Sequence, residues 1–143
     1  MKKNHAYTLI ELLAVVSVIS ILAAMFIVKW DPAKESGDDG KIISNLTEVR
    51  IKMEFCRNDS LTKSYNGCES ETATQELIQE ADSLNGDKAL NLYNNGTDYC
   101  LEAQLNSGQW YCVDSSMVSK EYDSDPSCSS SNYACESGGP TSP

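Results

Sequence analysis

The chain has 143 residues, with 11 basic side chains against 21 acidic ones and a formal net charge of −10. That length gives one small domain plus an apolar stem. The acidity excludes an ordinary nucleic-acid-binding patch, because phosphates would be repelled and no basic cluster interrupts the negative charge.

The first segment, MKKNHA, runs directly into YTLIELLAVVSVISILAAMFIV. Tyr7 to Val28 holds a single charged residue, Glu11. As a helix rising ~1.5 Å per residue, this run is long enough to cross a bilayer core of ~30 Å. Leu9, Ile10, Leu12, Leu13, Val15 and Val16 begin a surface that is apolar on every side, which calls for burial by lipid or by other helices. Lys2, Lys3 and the α-amine place positive charge before the run, so the N-terminus is expected in the cytoplasm and the rest outside. A secretory signal would be followed by a small-residue cleavage site. Lys29, Trp30, Asp31 and Pro32 follow instead, so the apolar run is expected to stay in the mature protein.

Thr8, Leu9, Ile10, Glu11, Leu12 and Leu13, behind a short basic leader, resemble the N-terminus of type IV pilins and of the pseudopilins of type II secretion. The resemblance covers roughly the first fifth of the chain. It implies that a prepilin peptidase cuts between Ala6 and Tyr7 on the cytoplasmic side and that the new Tyr7 amine is methylated. The family usually has Gly before the cut and Phe after it; Ala6 is also small, and Tyr7 is also aromatic. Loss of the leader removes Lys2 and Lys3, leaving 9 basic against 21 acidic side chains, or −12 before the termini are counted. Glu11 becomes the fifth mature residue. The family pairs that glutamate with the N-terminal amine of a neighbouring subunit, here Tyr7. In an apolar filament core such a pair offsets the desolvation of both ions and sets the axial register of one subunit on the next. The local reading is that Thr8 and Glu11 form a capping box, with the carboxylate complementing the helix dipole. The resemblance also implies an assembly ATPase and an inner-membrane platform protein as partners, and a helical homo-oligomer as the product.

Residues 29–40, KWDPAKESGDDG, contain Pro32, Gly37 and Gly40 and are expected to form a hinge or melted stretch. From Lys41 to Arg57 the apolar residues Ile42, Leu46, Val49, Met53 and Cys56 make one helical stripe. Residues 58–70 read as a polar loop. Thr72 to Leu84 reads as a short helix opened by a Thr72–Gln75 capping box, with Leu77, Ile78, Ala81 and Leu84 facing inward. Strands are expected over 89–93, 98–105 and 109–114. The second alternates, with Leu101, Ala103 and Leu105 on one face and Cys100, Glu102 and Gln104 on the other. Asn94-Asn95-Gly96 and Asn106-Ser107-Gly108 are hairpin turns. The tail from Ser115 is rich in Ser, Asp, Gly and Pro and would be disordered by itself. The expected fold is α+β, pilin-like: a long N-terminal helix, apolar in its stem and amphipathic in its second half, packed on a small antiparallel meander. The expected divisions are a leader at 1–6, an apolar helix at 7–28, the hinge at 29–40 and a head at 41–143.

Cys56, Cys68, Cys100, Cys112, Cys128 and Cys135 all follow the apolar run, on the side expected to be oxidising. An even number there reads as a disulfide framework. Zinc is the rival, but no C-x-x-C occurs and His5, the only histidine, lies in the leader. Spacing favours pairs 56–68, 100–112 and 128–135, since Cys100 and Cys112 flank a turn nearly symmetrically. The alternative is a bridge from Cys128 or Cys135 back to the sheet.

No G-x-S-x-G, H-E-x-x-H or P-loop is present, so no enzymatic activity, cofactor or metal is expected. Asp123, Ser124 and Asp125 do not match a calcium loop and read as a solvated turn. The reading is a structural subunit of a type IV pilus or similar filament. It is made in the inner membrane with its N-terminus cytoplasmic and is displayed outside after assembly. One alternative is a pseudopilin of type II secretion, in a short periplasmic filament. Another is a monomeric, membrane-anchored binding module.

Overall fold

The computed structural model describes residues 8–27 and 30–135. The elements in chain order are α1 (Leu9–Ile27), α2 (Trp30–Asp59), a 3-10 turn (Cys68–Ser70), α3 (Thr72–Asn85), β1 (Leu90–Asn94), β2 (Tyr99–Gln104), β3 (Trp110–Asp114) and β4 (Ser119–Tyr122). The chain divides into two compact units, residues 1–34 and residues 35–143. The first holds α1. The second is an α+β domain in which helices cover one face of a four-stranded antiparallel sheet of order β1-β2-β3-β4.

The expected break over 29–40 is helix from Trp30 onward; Lys29 lies outside the described residues. Pro32 lies near the described start of α2. Gly37 and Gly40 lower helix propensity without ending the helix. Between them, buried Asp39 accepts hydrogen bonds from the backbone N–H groups of Asn106 (2.6 Å) and Ser107 (2.9 Å). Contact with the β2–β3 turn therefore opposes the weak local propensity. Further along α2, the expected stripe of Ile42, Leu46, Val49 and Met53 is fully buried, and half-buried Cys56 packs beside it. Burying each large apolar side chain contributes about 1.5–3 kcal/mol.

The expected helix over 72–84 is α3. Ala81 is buried, and Leu77, Ile78 and Leu84 pack partly buried on the core. The Thr72–Gln75 capping box does not form. Glu71 is the N-cap, no side chain caps the helix, and the Gln75 N–H reaches the Glu71 carbonyl at 2.9 Å. Thr72 is already the first helical residue, so its hydroxyl is one position too late to act as a cap.

All three expected strands are present, and both hairpin glycines hold positive φ, 88° at Gly96 and 92° at Gly108. Leu101, Ala103 and Leu105 lie in the core under the helices, together with Tyr99, Tyr111 and Val113. The opposite face carries Cys100 and Cys112 and is covered by the C-terminal segment, with Tyr122, Cys128 and Cys135 buried against it. One feature of the tail departs from expectation. Ser119–Tyr122 is a fourth strand paired with β3, Trp110 lying opposite Tyr122. The sequence SKEY has no apolar alternation, so only the partner strand reveals it. Asp114 forms the preceding turn by accepting from the N–H groups of Ser116 (2.9 Å) and Val118 (3.0 Å).

Candidate functional site

The first functional element is the start of α1. Glu11 accepts hydrogen bonds from the Thr8 N–H (2.9 Å) and the Thr8 hydroxyl (2.8 Å), while the Glu11 N–H donates to Thr8 Oγ1 at 3.4 Å. This is a reciprocal capping box, which satisfies donors that the helix start leaves unpaired. The expected cleavage and methylation sites, Ala6 and Tyr7, lie outside the described residues, as does the amine expected to meet Glu11. Beyond the cap, Leu9 to Leu22 present apolar side chains that are 52–80% exposed. Ser17 and Ser20 donate their hydroxyls to the carbonyls of Ala14 and Val16, each at 2.8 Å. That internal satisfaction suits both serines to apolar surroundings, a feature the hydropathy pattern alone did not reveal. The described side chains of α1 end at Ala24, and among the described residues no helix is long and apolar enough to cross a membrane.

The second element is the cysteine-bearing face. Cys56 bonds Cys68, as spacing suggested, with their Cα atoms 5.7 Å apart. The other two pairs differ from expectation. Cys100 bonds Cys128 and Cys112 bonds Cys135, with Cα separations of 5.9 and 5.8 Å. The register explains the correction. Cys100 lies opposite Asp114, and Cys112 lies opposite Glu102, so the two cysteines are diagonal neighbours rather than a facing pair. Their sulfurs are 3.4 Å apart but belong to separate bridges that tie the tail to the sheet. These longer loops stabilise the domain by about 3–4 kcal/mol each in the chain-entropy account.

Two carboxylates on this face had no assigned role in the sequence. Glu102 accepts from the Cys128 N–H (3.0 Å) and from Asn91 Nδ2 (3.0 Å). Asp114 accepts from the Cys135 N–H at 2.8 Å, besides the two turn donors. Burial pushes the Glu102 carboxyl up; its hydrogen bonds from Asn91 and Cys128 oppose that shift, and the Asp125 charge adds to it. The usable signal was alternation: Glu102 shares a face with Cys100, and a face carrying two cysteines is a covered one. Among the described residues, the group of potential metal ligands close enough to share an ion is Cys100, Cys112 and Cys128, all engaged in disulfides. Asp123 accepts from Gln109 Nε2 at 3.2 Å, and Asp125 accepts from the Ser127 N–H at 2.7 Å.

Residues 1–27 match the family described as Prokaryotic N-terminal methylation motif. Two proteins of Dichelobacter nodosus, each called a probable minor fimbrial protein, are 32% and 31% identical to this chain over 84 residues. The matched stretch is 57% of this chain and 53% of each relative, so the chain spans about half the length of the curated relatives it matches. No solved structure matches the chain. The chain thus carries the N-terminal methylation motif at its start and is similar, over part of its length, to proteins named as probable minor fimbrial proteins, with a long helix packed on a small antiparallel sheet.

Proposed function

We propose that the chain is a structural, non-catalytic subunit of a type IV pilus-like filament. A prepilin peptidase cleaves between Ala6 and Tyr7, and Tyr7 is methylated. The apolar run Tyr7–Val28 sits in the inner membrane, N-terminus inward, until assembly. There an assembly ATPase and a platform protein move the subunit into a filament whose core is packed N-terminal helices. The observation that carries this reading is the methylation motif placed on a largely apolar helix whose single charged residue is Glu11. Within one subunit, Glu11 is held by Thr8. In the filament the carboxylate pairs with the Tyr7 amine of a neighbour and fixes register. The fimbrial names of the two relatives and the disulfide-closed tail favour a pilus over a secretion pseudopilus.

Glu11→Gln and Glu11→Ala test the pairing. Both variants should accumulate in the inner membrane at normal level, with surface filaments reduced at least roughly tenfold in counts by electron microscopy, as loss of a partly buried ion pair predicts. Normal filament number and length in both variants would remove the pair from the mechanism.

A further inference from the structure

Four sulfurs meet on the covered face of the sheet, and their proximity does not by itself choose a pairing. Cys100 and Cys112 are 3.4 Å apart, Cys112 and Cys128 are 3.5 Å apart, and Cys100 and Cys135 are 3.9 Å apart, although none of these pairs is bonded. The backbone supplies the asymmetry. Cys128 gives its N–H to Glu102 and its sulfur to Cys100, two residues earlier on the same strand and face. Cys135 gives its N–H to Asp114 and its sulfur to Cys112, again two residues earlier on one strand. The same relation occurs twice, on adjacent strands. Both carboxylates are almost fully buried, at 2% and 1% exposure, a placement that is costly unless hydrogen bonds compensate it.

We propose that Glu102 and Asp114 are positioning residues for oxidative folding: each captures the backbone of one tail cysteine and so directs the pairing 100–128 and 112–135. Forming each bridge removes two protons and two electrons, taken up by a disulfide oxidant such as oxidised glutathione, which leaves as two thiols. Exchange between pairings needs no further oxidant. A thiolate attacks a disulfide sulfur, one S–S bond forms as another breaks, and the displaced sulfur leaves as thiolate. In a glutathione buffer the populations of the pairings therefore report how strongly each tail cysteine is anchored. A charge-assisted hydrogen bond is stronger than a neutral one, so the carboxylates bias the equilibrium toward the bridged tail.

The test refolds the reduced full-length chain in detergent with oxidised and reduced glutathione, followed by trypsin and non-reducing mass spectrometry. Cleavage after Lys88 and Lys120 leaves Cys100 and Cys112 on one peptide and Cys128 and Cys135 on another. The native pairing links the two peptides, whereas 100–112 with 128–135 leaves them separate. A chymotryptic digest distinguishes the two linked pairings from each other. The native protein should yield linked peptides, and Glu102→Gln with Asp114→Asn should lower the linked-to-separate ratio by roughly tenfold. The Cys56–Cys68 linkage, packed in the core on the other face of the sheet, reports that the rest of the head has formed. An unchanged ratio with that linkage intact would overturn the proposal. Where the double variant loses Cys56–Cys68 as well, Cys128→Ser decides with both carboxylates present. Anchoring predicts Cys112–Cys135 and linked peptides, while a dominant Cys100–Cys112 bridge refutes it.

Discussion

Gly96 is where the β1–β2 turn meets the loop closed by Cys56–Cys68, and its replacement by alanine should damage the head measurably. Its carbonyl accepts from the Tyr65 N–H (2.8 Å) and the Ser64 hydroxyl (2.9 Å), fixing that loop on the sheet. Its φ of 88° lies in the left-handed region, which costs a non-glycine residue about 1–2 kcal/mol. A Cβ there would stand 2.6 Å from Asn66 Oδ1, 2.8 Å from Nδ2 and 2.9 Å from Cγ, so the carboxamide must move. Displacing it adds about 1 kcal/mol, and reduced freedom of the unfolded chain returns about 0.4–1 kcal/mol. Gly96→Ala should therefore destabilise the oxidised protein by about 1–2.5 kcal/mol, read by urea unfolding in detergent followed by far-ultraviolet dichroism. In an Asn66→Ala background the steric part should vanish and the backbone part remain, giving a coupling of about 1 kcal/mol. A loss below about 0.5 kcal/mol, or one unchanged by Asn66→Ala, would refute this account of the turn.

Gly37 is the opposite case, being exposed and helical with nothing within 4 Å of an added Cβ. Gly37→Ala should stabilise α2 by about 0.5–1 kcal/mol in the same assay, and a loss would mean that the helix is not the resting state there. Alkaline pH gives a third check. Burial and then the neighbouring Glu54 carboxylate push the Tyr65 hydroxyl up to about 12, and burial pushes Tyr99 up as well. The unfolded hydroxyl releases its proton near 10, so stability should hold below that pH and fall as pH rises from 10 toward about 12. Tyr65→Phe should show a smaller fall over that range, and an equal fall would contradict the assignment.

The helix stripe, the hairpin turns and the alternation of β2 were legible in the sequence because each is a local pattern with one dominant physical cause. The stripe of Ile42, Leu46, Val49 and Met53 identifies its own buried face, and Gly96 and Gly108 identify turns that need positive φ. What was illegible depends on partners distant in sequence. Helix persists through Gly37 and Gly40 while Asp39 between them meets a turn far along the chain. Strand β4 exists only because β3 offers an edge. The two misassigned disulfides turned on a diagonal rather than facing register between Cys100 and Cys112, which hairpin symmetry cannot resolve. At the N-terminus the capping box of Thr8 and Glu11 followed from spacing alone, whereas the role of Glu11 between subunits rests on resemblance.

The central claim is that this chain is processed after Ala6 and built into a surface filament. Intact-mass spectrometry of filaments sheared from the cell surface tests it most directly. The account predicts a subunit whose first residue is Tyr7 with one added methylene from N-methylation, and six hydrogens fewer than the reduced form because of three disulfides. Absence of the chain from sheared filaments, or a subunit that begins at Met1 or after Val28, would contradict it.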